Sequence, residues 1–80
     1  MSMRKYNQKP NVAGKLIEKV RISKNMSRED LAKQMQLMGI NVDRSFVYRI
    51  ENQEVLIKDF ELIAICKILG IDIKKLEEQL

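Results

Sequence analysis

Apolar residues recur along the chain at spacings of three and four, the period of an α-helix, and no alternating strand pattern is longer than a few residues. Ser27, Asp43 and Asp72 precede three of the apolar segments and are good N-cap residues. Gly39 and Gly70 follow two segments and favour the positive φ at which many helices end. The pattern predicts a compact all-α fold of five short helices, at about residues 11–24, 28–38, 44–52, 58–69 and 73–79.

Residues 1–10 lack this periodicity, and we interpret them as a flexible basic arm ahead of a single domain over residues 11–80. Arg4, Lys5, Tyr6 and Lys9 in this arm either follow an anionic backbone or remain disordered. One cysteine, Cys66, excludes an internal disulfide and fits a reducing compartment. No apolar run is long enough to span a bilayer, and no signal peptide is apparent, so we expect a cytoplasmic protein without a membrane partner.

The composition argues against catalysis. Histidine is absent, which removes the commonest general base and metal ligand. A single cysteine cannot build a zinc site, and three glycines do not form a phosphate-binding loop of known type. We therefore predict no enzymatic activity, no metal and no cofactor.

The net charge of +4 is distributed unevenly. Residues 1–25 hold seven Lys and Arg against one acid, whereas residues 53–80 hold four against six. A basic amino-terminal third favours an anionic partner, most simply nucleic acid, although a solvated basic tail explains the charge equally well.

The third predicted helix has one apolar side and one side rich in hydrogen-bond donors. On a helical wheel, Phe46, Val47 and Ile50 fall together, and Glu51 lies at the edge of that side. The opposite arc holds five donor side chains and no acid: Arg44, Ser45, Tyr48, Arg49 and Asn52. Arginine can bind guanine with two hydrogen bonds, and the other types can bind bases or phosphates. This face is typical of a helix that reads the major groove, although a solvated polar face on a small bundle has the same pattern.

The chain resembles the Xre/lambda-repressor-like helix-turn-helix family of regulators. The resemblance rests on "GKLIEKVRISKNMSREDLAKQ", "NVDRSFVYRIEN" and "FELIAICKILGIDIKKL", in that order, over about four-fifths of the chain. It implies a five-helix DNA-binding domain whose second and third helices form the helix-turn-helix.

The resemblance also implies residue roles. Base contacts are expected at Arg44, Ser45, Tyr48 and Arg49. Phosphate contacts are expected at Ser27, Arg28 and Asn52, although glutamine is the commonest residue where this chain has Arg28. Arg21 and Glu51 match the internal salt bridge of the family.

Two features depart from the family pattern. The segment "QMQLMGINV" is longer than the usual turn before the recognition helix, which indicates a subgroup in which Leu37, Met38 and Ile40 add cover to the core. After Asn52, the usual glycine and basic loop are replaced by "QEVLI", so backbone contacts from this loop are in doubt.

An exposed apolar patch is expected around this loop and the fourth helix. Its core is predicted at Val55, Leu56, Ile57 and Phe60, and the outward side of the fourth helix adds Ile63, Ala64 and Ile68. We interpret the patch as the interface of a homodimer, which would bind a palindromic operator on double-stranded DNA.

The sequence thus predicts a DNA-binding transcriptional regulator, more specifically a repressor that occludes a promoter. One alternative is an antitoxin that binds DNA and also covers a toxin with its apolar patch. Another is a protein-interaction module that has lost DNA binding, which the missing cations after Asn52 would explain.

Overall fold

The computed structural model describes residues 5–80, so the expectation for Arg4 lies outside the described residues. Within this range the chain forms five α-helices and no strand, which confirms the all-α prediction. The helices are α1 Gly14–Ser23, α2 Arg28–Leu37, α3 Arg44–Glu51, α4 Asp59–Leu69 and α5 Ile73–Glu77. Tyr6 and Lys9 form a tight turn with two backbone hydrogen bonds, and the Tyr6 hydroxyl donates to the carbonyl of Leu80.

All five helices contribute to one hydrophobic core, and α4 packs against both α1 and α2. Burying the apolar stripe of each helix is the main stabilising term in such a bundle. The largest fully buried apolar side chains are Ile17, Leu31, Met35, Val47, Ile50, Ile65 and Leu69.

The ends of α1 to α4 share one geometry. A residue of positive φ follows each helix, and the next residue donates its backbone N–H to a carbonyl in the last helical turn. Glycine takes this conformation after α2 and α4, but Asn25 (φ 55°) and Gln53 (φ 60°) take it after α1 and α3. These turns redirect the chain towards the core after each helix.

Three residues of the long turn before α3 were predicted to pack on the core, and this prediction is wrong for two of them. Leu37 is 84% exposed and Met38 is 47% exposed. Leu37 lies two positions after the buried Met35, which places it on the opposite side of α2. Ile40 alone packs on the core, because the turn at Gly39 lets its N–H bond the carbonyl of Met35.

A second correction concerns α4. Ala64 was expected on the outward side but is only 2% exposed. Ala64 lies next to the buried Ile65 and one turn from the buried Glu61, so the buried side of α4 extends to its position.

Candidate nucleic-acid interface

Helix α3 presents its donor face to solvent. The Asp43 side chain accepts a hydrogen bond from the Phe46 N–H and begins the helix. Val47, Ile50 and Glu51 are buried on the inner side, which fixes the rotation of α3 about its axis. Four donor side chains are therefore exposed, Arg44, Ser45, Tyr48 and Arg49, while Asn52 is half-buried at the end of the helix.

An open groove runs between the start of α2 and the exposed face of α3. Six of the seven residues expected to contact DNA line this groove: Ser27, Arg28, Arg44, Ser45, Tyr48 and Arg49. Asn52 does not line it, and the exposed acids Glu29 and Glu54 do. The folded chain thus brings together donors that are separated by up to 22 positions in sequence.

The start of α2 is a capping box. The Ser27 hydroxyl accepts from the Asp30 N–H at 2.9 Å, and the Asp30 carboxylate accepts from the Ser27 N–H at 3.0 Å. This backbone hydrogen bond from Ser27 lowers the pKa of Asp30. The Ser27 hydroxyl keeps its own proton free to donate to a phosphate at the positive end of the helix dipole.

A buried ion network joins α1, α2 and α3. Arg21 donates from Nε to Glu51 Oε2 at 2.6 Å and from Nη2 to Glu51 Oε1 at 3.1 Å. The Glu51 side chain is fully buried, and that of Arg21 is 7% exposed. Arg21 also donates to the carbonyl of Met26, which ties the network to the loop after α1. A buried bidentate pair of this kind fixes the mutual orientation of the helices.

Arg28 joins this network, which the sequence analysis did not anticipate. Its Nε donates to Glu51 Oε1 at 2.9 Å, and its Nη2 donates to Glu18 Oε2 at 3.2 Å. Its guanidinium carbon lies 5.0 Å from the centre of the Tyr48 ring. The hydrogen bond to Glu51 raises the pKa of Arg28 above its ordinary value.

Arg44 and Arg49 differ from Arg28 in having no carboxylate partner among the described residues. Both are exposed, and the guanidinium of Arg49 lies 6.0 Å from the centre of the Phe46 ring. These two cations can therefore bind an external acceptor without first breaking an internal ion pair.

A helix-turn-helix family model matches residues 17–76, which is three-quarters of the chain. This protein belongs to the Xre/Cro-type helix-turn-helix family. The family implies DNA as the partner, and its members are typically not enzymes. A search of curated proteins and a search of solved structures gave no significant match.

In this helix-turn-helix protein, α1 and α3 approach each other closely at Gly14. A Cβ placed there would lie 2.2 Å from the carbonyl oxygen of Ile50, so a larger residue would push the helices apart. The nearby Asn11 side chain is buried and accepts from the Gly14 N–H, while its amide donates to the carbonyls of Ile50 and Val55. Gln53 completes the junction by donating to the Asn11 carbonyl.

This junction is not among the sequence predictions. An asparagine three residues before a glycine at a helix start was the only local signal for it. The partners of Asn11 are about 40 positions away in the chain, so their proximity depends on the packing of α1 on α3.

The expected apolar patch divides into two parts. Val55 and Ile57 are half-buried and pack on the core, so they are not available as an exposed surface. Leu56 and Phe60 are each 51% exposed. Helix α4 adds Ile63, which is 56% exposed and one turn from Phe60.

An apolar groove between α4 and α5 continues this surface. Its lining includes Ile63, Cys66, Ile71 and Ile73. Cys66 is half-buried, and burial raises the pKa of its thiol, which keeps it protonated at neutral pH. A half-buried, protonated thiol of this kind behaves as a small apolar side chain.

Two further site types are absent from residues 5–80. No group of carboxylate, thiol or imidazole side chains there has the arrangement of a metal site. None of the five helices has the length and apolar character that a membrane crossing requires.

Proposed function

We propose that this protein is a sequence-specific transcriptional repressor that places α3 in the major groove of double-stranded DNA. The observation that supports this proposal is the groove along α3. Arg44 and Arg49 are exposed there beside Ser45 and Tyr48, and neither arginine has a carboxylate partner among the described residues. These side chains supply the donors that recognise base edges, and the free arginines supply the charge that attracts the phosphate backbone.

The start of α2 supplies a second anchor. Ser27 and the first N–H groups of the helix would bind a phosphate beside the groove, and Asn52 at the end of α3 would bind another. Contacts on both sides of α3 would fix its position along the duplex. Residues 38–43 connect α2 to α3, and the length of this segment supports membership of a subgroup with a long connection.

The repressor acts as a homodimer on a palindromic operator in the nucleoid of the cytoplasm. The exposed Leu56, Phe60 and Ile63 support an interface on α4, and a two-fold interface would set two copies of α3 about one DNA turn apart. Repression would then follow from occupation of the promoter, since binding at such a site excludes polymerase.

Selection of bound sequences from random duplex DNA tests this function. The wild type should enrich a palindromic sequence, and Arg44→Ala or Arg49→Ala should each weaken binding to it by about 1–3 kcal/mol and relax preference at some base pairs. Lys75→Ala on α5 is the matched control, because it removes an exposed cation from another part of the surface. Selection without enrichment, or enrichment that survives both arginine substitutions, would refute the proposal.

The apolar surface favours a second candidate, a protein-interaction module that has lost DNA binding. Leu37 is exposed in addition to Phe60 and Ile63, and Lys58 is the only cation between Asn52 and α4. A wild type that is a monomer at micromolar concentration and enriches no DNA sequence would favour this candidate over the repressor.

A further inference from the structure

Arg28 occupies a position from which a phosphate contact is expected, yet its guanidinium is held by the protein itself. Glu51 on α3 and Glu18 on α1 accept hydrogen bonds from two of its nitrogens, at 2.9 and 3.2 Å. The side chain is 36% exposed, so it lies partly beneath the surface of the groove.

The network around Arg28 holds more cations than carboxylates. Arg21, Arg28 and the exposed Lys15 pair with two carboxylates, Glu18 and Glu51. Glu51 Oε1 accepts from both arginines, and this carboxylate has no access to solvent. Turning Arg28 outward to a phosphate would remove one donor from a buried charge, which is costly in a site that water cannot reach.

The third contact of Arg28 is with Tyr48, one of the side chains on the exposed face of α3. The guanidinium lies 5.0 Å from the ring centre, within the range of a cation–π interaction. Tyr48 is 48% exposed and lies one helical turn from both Arg44 and Ser45. Arg28 therefore packs against the ring of Tyr48 while its Nε and Nη2 donate to carboxylates on α3 and α1.

We infer that Arg28 is a positioning residue and not a phosphate contact. It holds the ring of Tyr48 against the ion network of Glu51 and Glu18, and so sets the base preference of the protein. The inference rests on the proposed DNA binding and adds a specificity determinant to it. Lysine cannot replace arginine here, because an ammonium group lacks the planar fork that binds two carboxylates while covering a ring.

The slope of log K against log salt separates the two roles. This slope is negative, and each phosphate contact contributes about 0.9 to its magnitude. If Arg28 bound phosphate, Arg28→Gln would therefore reduce the magnitude of the slope by that amount. We expect the slope to stay unchanged for Arg28→Gln and for Arg28→Lys. We also expect both variants to lose roughly two- to tenfold of the discrimination at the base pair nearest Tyr48, as coupled neighbours do.

Glu18→Gln is the sharper variant, because it removes an anchor of Arg28 without removing a cation. If Arg28 is a positioning residue, Glu18→Gln should shift base preference in the same direction as Arg28→Gln, and should add nothing in the Arg28→Gln background. If Arg28 binds phosphate, Glu18→Gln should free it and tighten binding to all sequences alike. Glu29→Gln is the matched control, because it neutralises an exposed carboxylate beside the groove that pairs with Lys33 and not with Arg28.

Two results would overturn the inference: a slope reduced in magnitude by about 0.9 in Arg28→Gln and restored in Arg28→Lys, or unchanged base preference in Arg28→Gln and Glu18→Gln. Ring-proton chemical shifts of Tyr48 in the free protein give a readout that needs no DNA. They should move in Arg28→Gln and in Glu18→Gln but not in Glu29→Gln, and shifts that stay in place would refute the contact. A wild type that enriches no DNA sequence but shows these shifts would refute the proposed function and leave the support of Tyr48 by Arg28 established.

Discussion

Helices α1 to α3 and helices α4 and α5 differ in what they bury and in what they expose. The first group buries a carboxylate, Glu51, between two arginines and exposes the cations Arg44 and Arg49. The second group buries apolar side chains and one carboxylate, Glu61, which accepts from the backbone N–H of Lys58 and has no cation partner among the described residues; it leaves Phe60 and Ile63 half in solvent. The two surfaces therefore suit different partners, a polyanion on the first and an apolar surface on the second.

A small domain can therefore fix the orientation of its helices without burying more apolar side chains. Buried ion pairs contribute little net stability compared with apolar residues of the same size, but they constrain geometry when all their donors and acceptors are satisfied. Among the described residues, no buried side-chain nitrogen or oxygen lacks a partner. We infer that the network fixes α3 relative to α1 and α2, while the apolar core stabilises the domain as a whole.

The largest expected effect is that of Glu51→Ala. Removing this carboxylate leaves Arg21 buried without its partner, which should lower the free energy of unfolding by about 3–5 kcal/mol. Urea unfolding followed by circular dichroism measures the loss. Glu54→Gln, an exposed acid three positions later, should change stability by no more than about 0.5 kcal/mol. Equal stabilities of Glu51→Ala and the wild type would remove the distinction between the two regions.

Gly14→Ala tests the close approach of α1 to α3. Alanine usually stabilises a helix relative to glycine, but here the added Cβ would lie 2.2 Å from the carbonyl oxygen of Ile50. We expect a loss of about 1–3 kcal/mol, as in other overpacked sites. Thermal melting gives the sign, with Lys15→Ala at the next, exposed position as the control. A higher melting temperature for Gly14→Ala would show that α1 can move away from α3 at no cost.

Phe60→Ser addresses the second region. Because Phe60 is half-exposed, the substitution should leave the stability of the monomer nearly unchanged but weaken self-association by about tenfold or more. Sedimentation velocity across a concentration series measures the association. The exposed Lys33→Ser on α2 is the control for a change outside the apolar surface. A wild type that stays monomeric with and without DNA would refute the homodimer.

The five helices could be predicted from the sequence because the signals for them are local. Ser27, Asp43 and Asp72 each accept a backbone N–H at the start of a helix, and Gly39 and Gly70 each take positive φ after one. Periodicity also placed the donor face of α3 opposite its buried side.

The parts that could not be predicted depend on distances between helices. Arg28 is 23 positions from Glu51 in the chain, and the direction of a long side chain is decided by the charges that packing brings near it. Gly14 gave no sign of the Ile50 carbonyl above it, because that contact exists only after α1 packs on α3. Leu37 was expected in the core because an apolar residue at a helix end has the same pattern in either location.

The smallest expected effect is the pH dependence of the stability that the N-cap of α2 contributes, in the region formed by α1 to α3. The hydrogen bond from the Ser27 N–H lowers the pKa of Asp30, so the folded-state pKa lies below that of the unfolded chain. The carboxylate therefore stabilises the fold above the unfolded pKa, and this contribution is lost as the pH falls through the folded pKa. The wild type should be more stable than Asp30→Asn at pH 7, and the difference should close in acid. A carboxyl titration followed by NMR decides the sign, and a pKa for Asp30 at or above that of an unstructured aspartate would show that the cap contributes nothing to the position of α2.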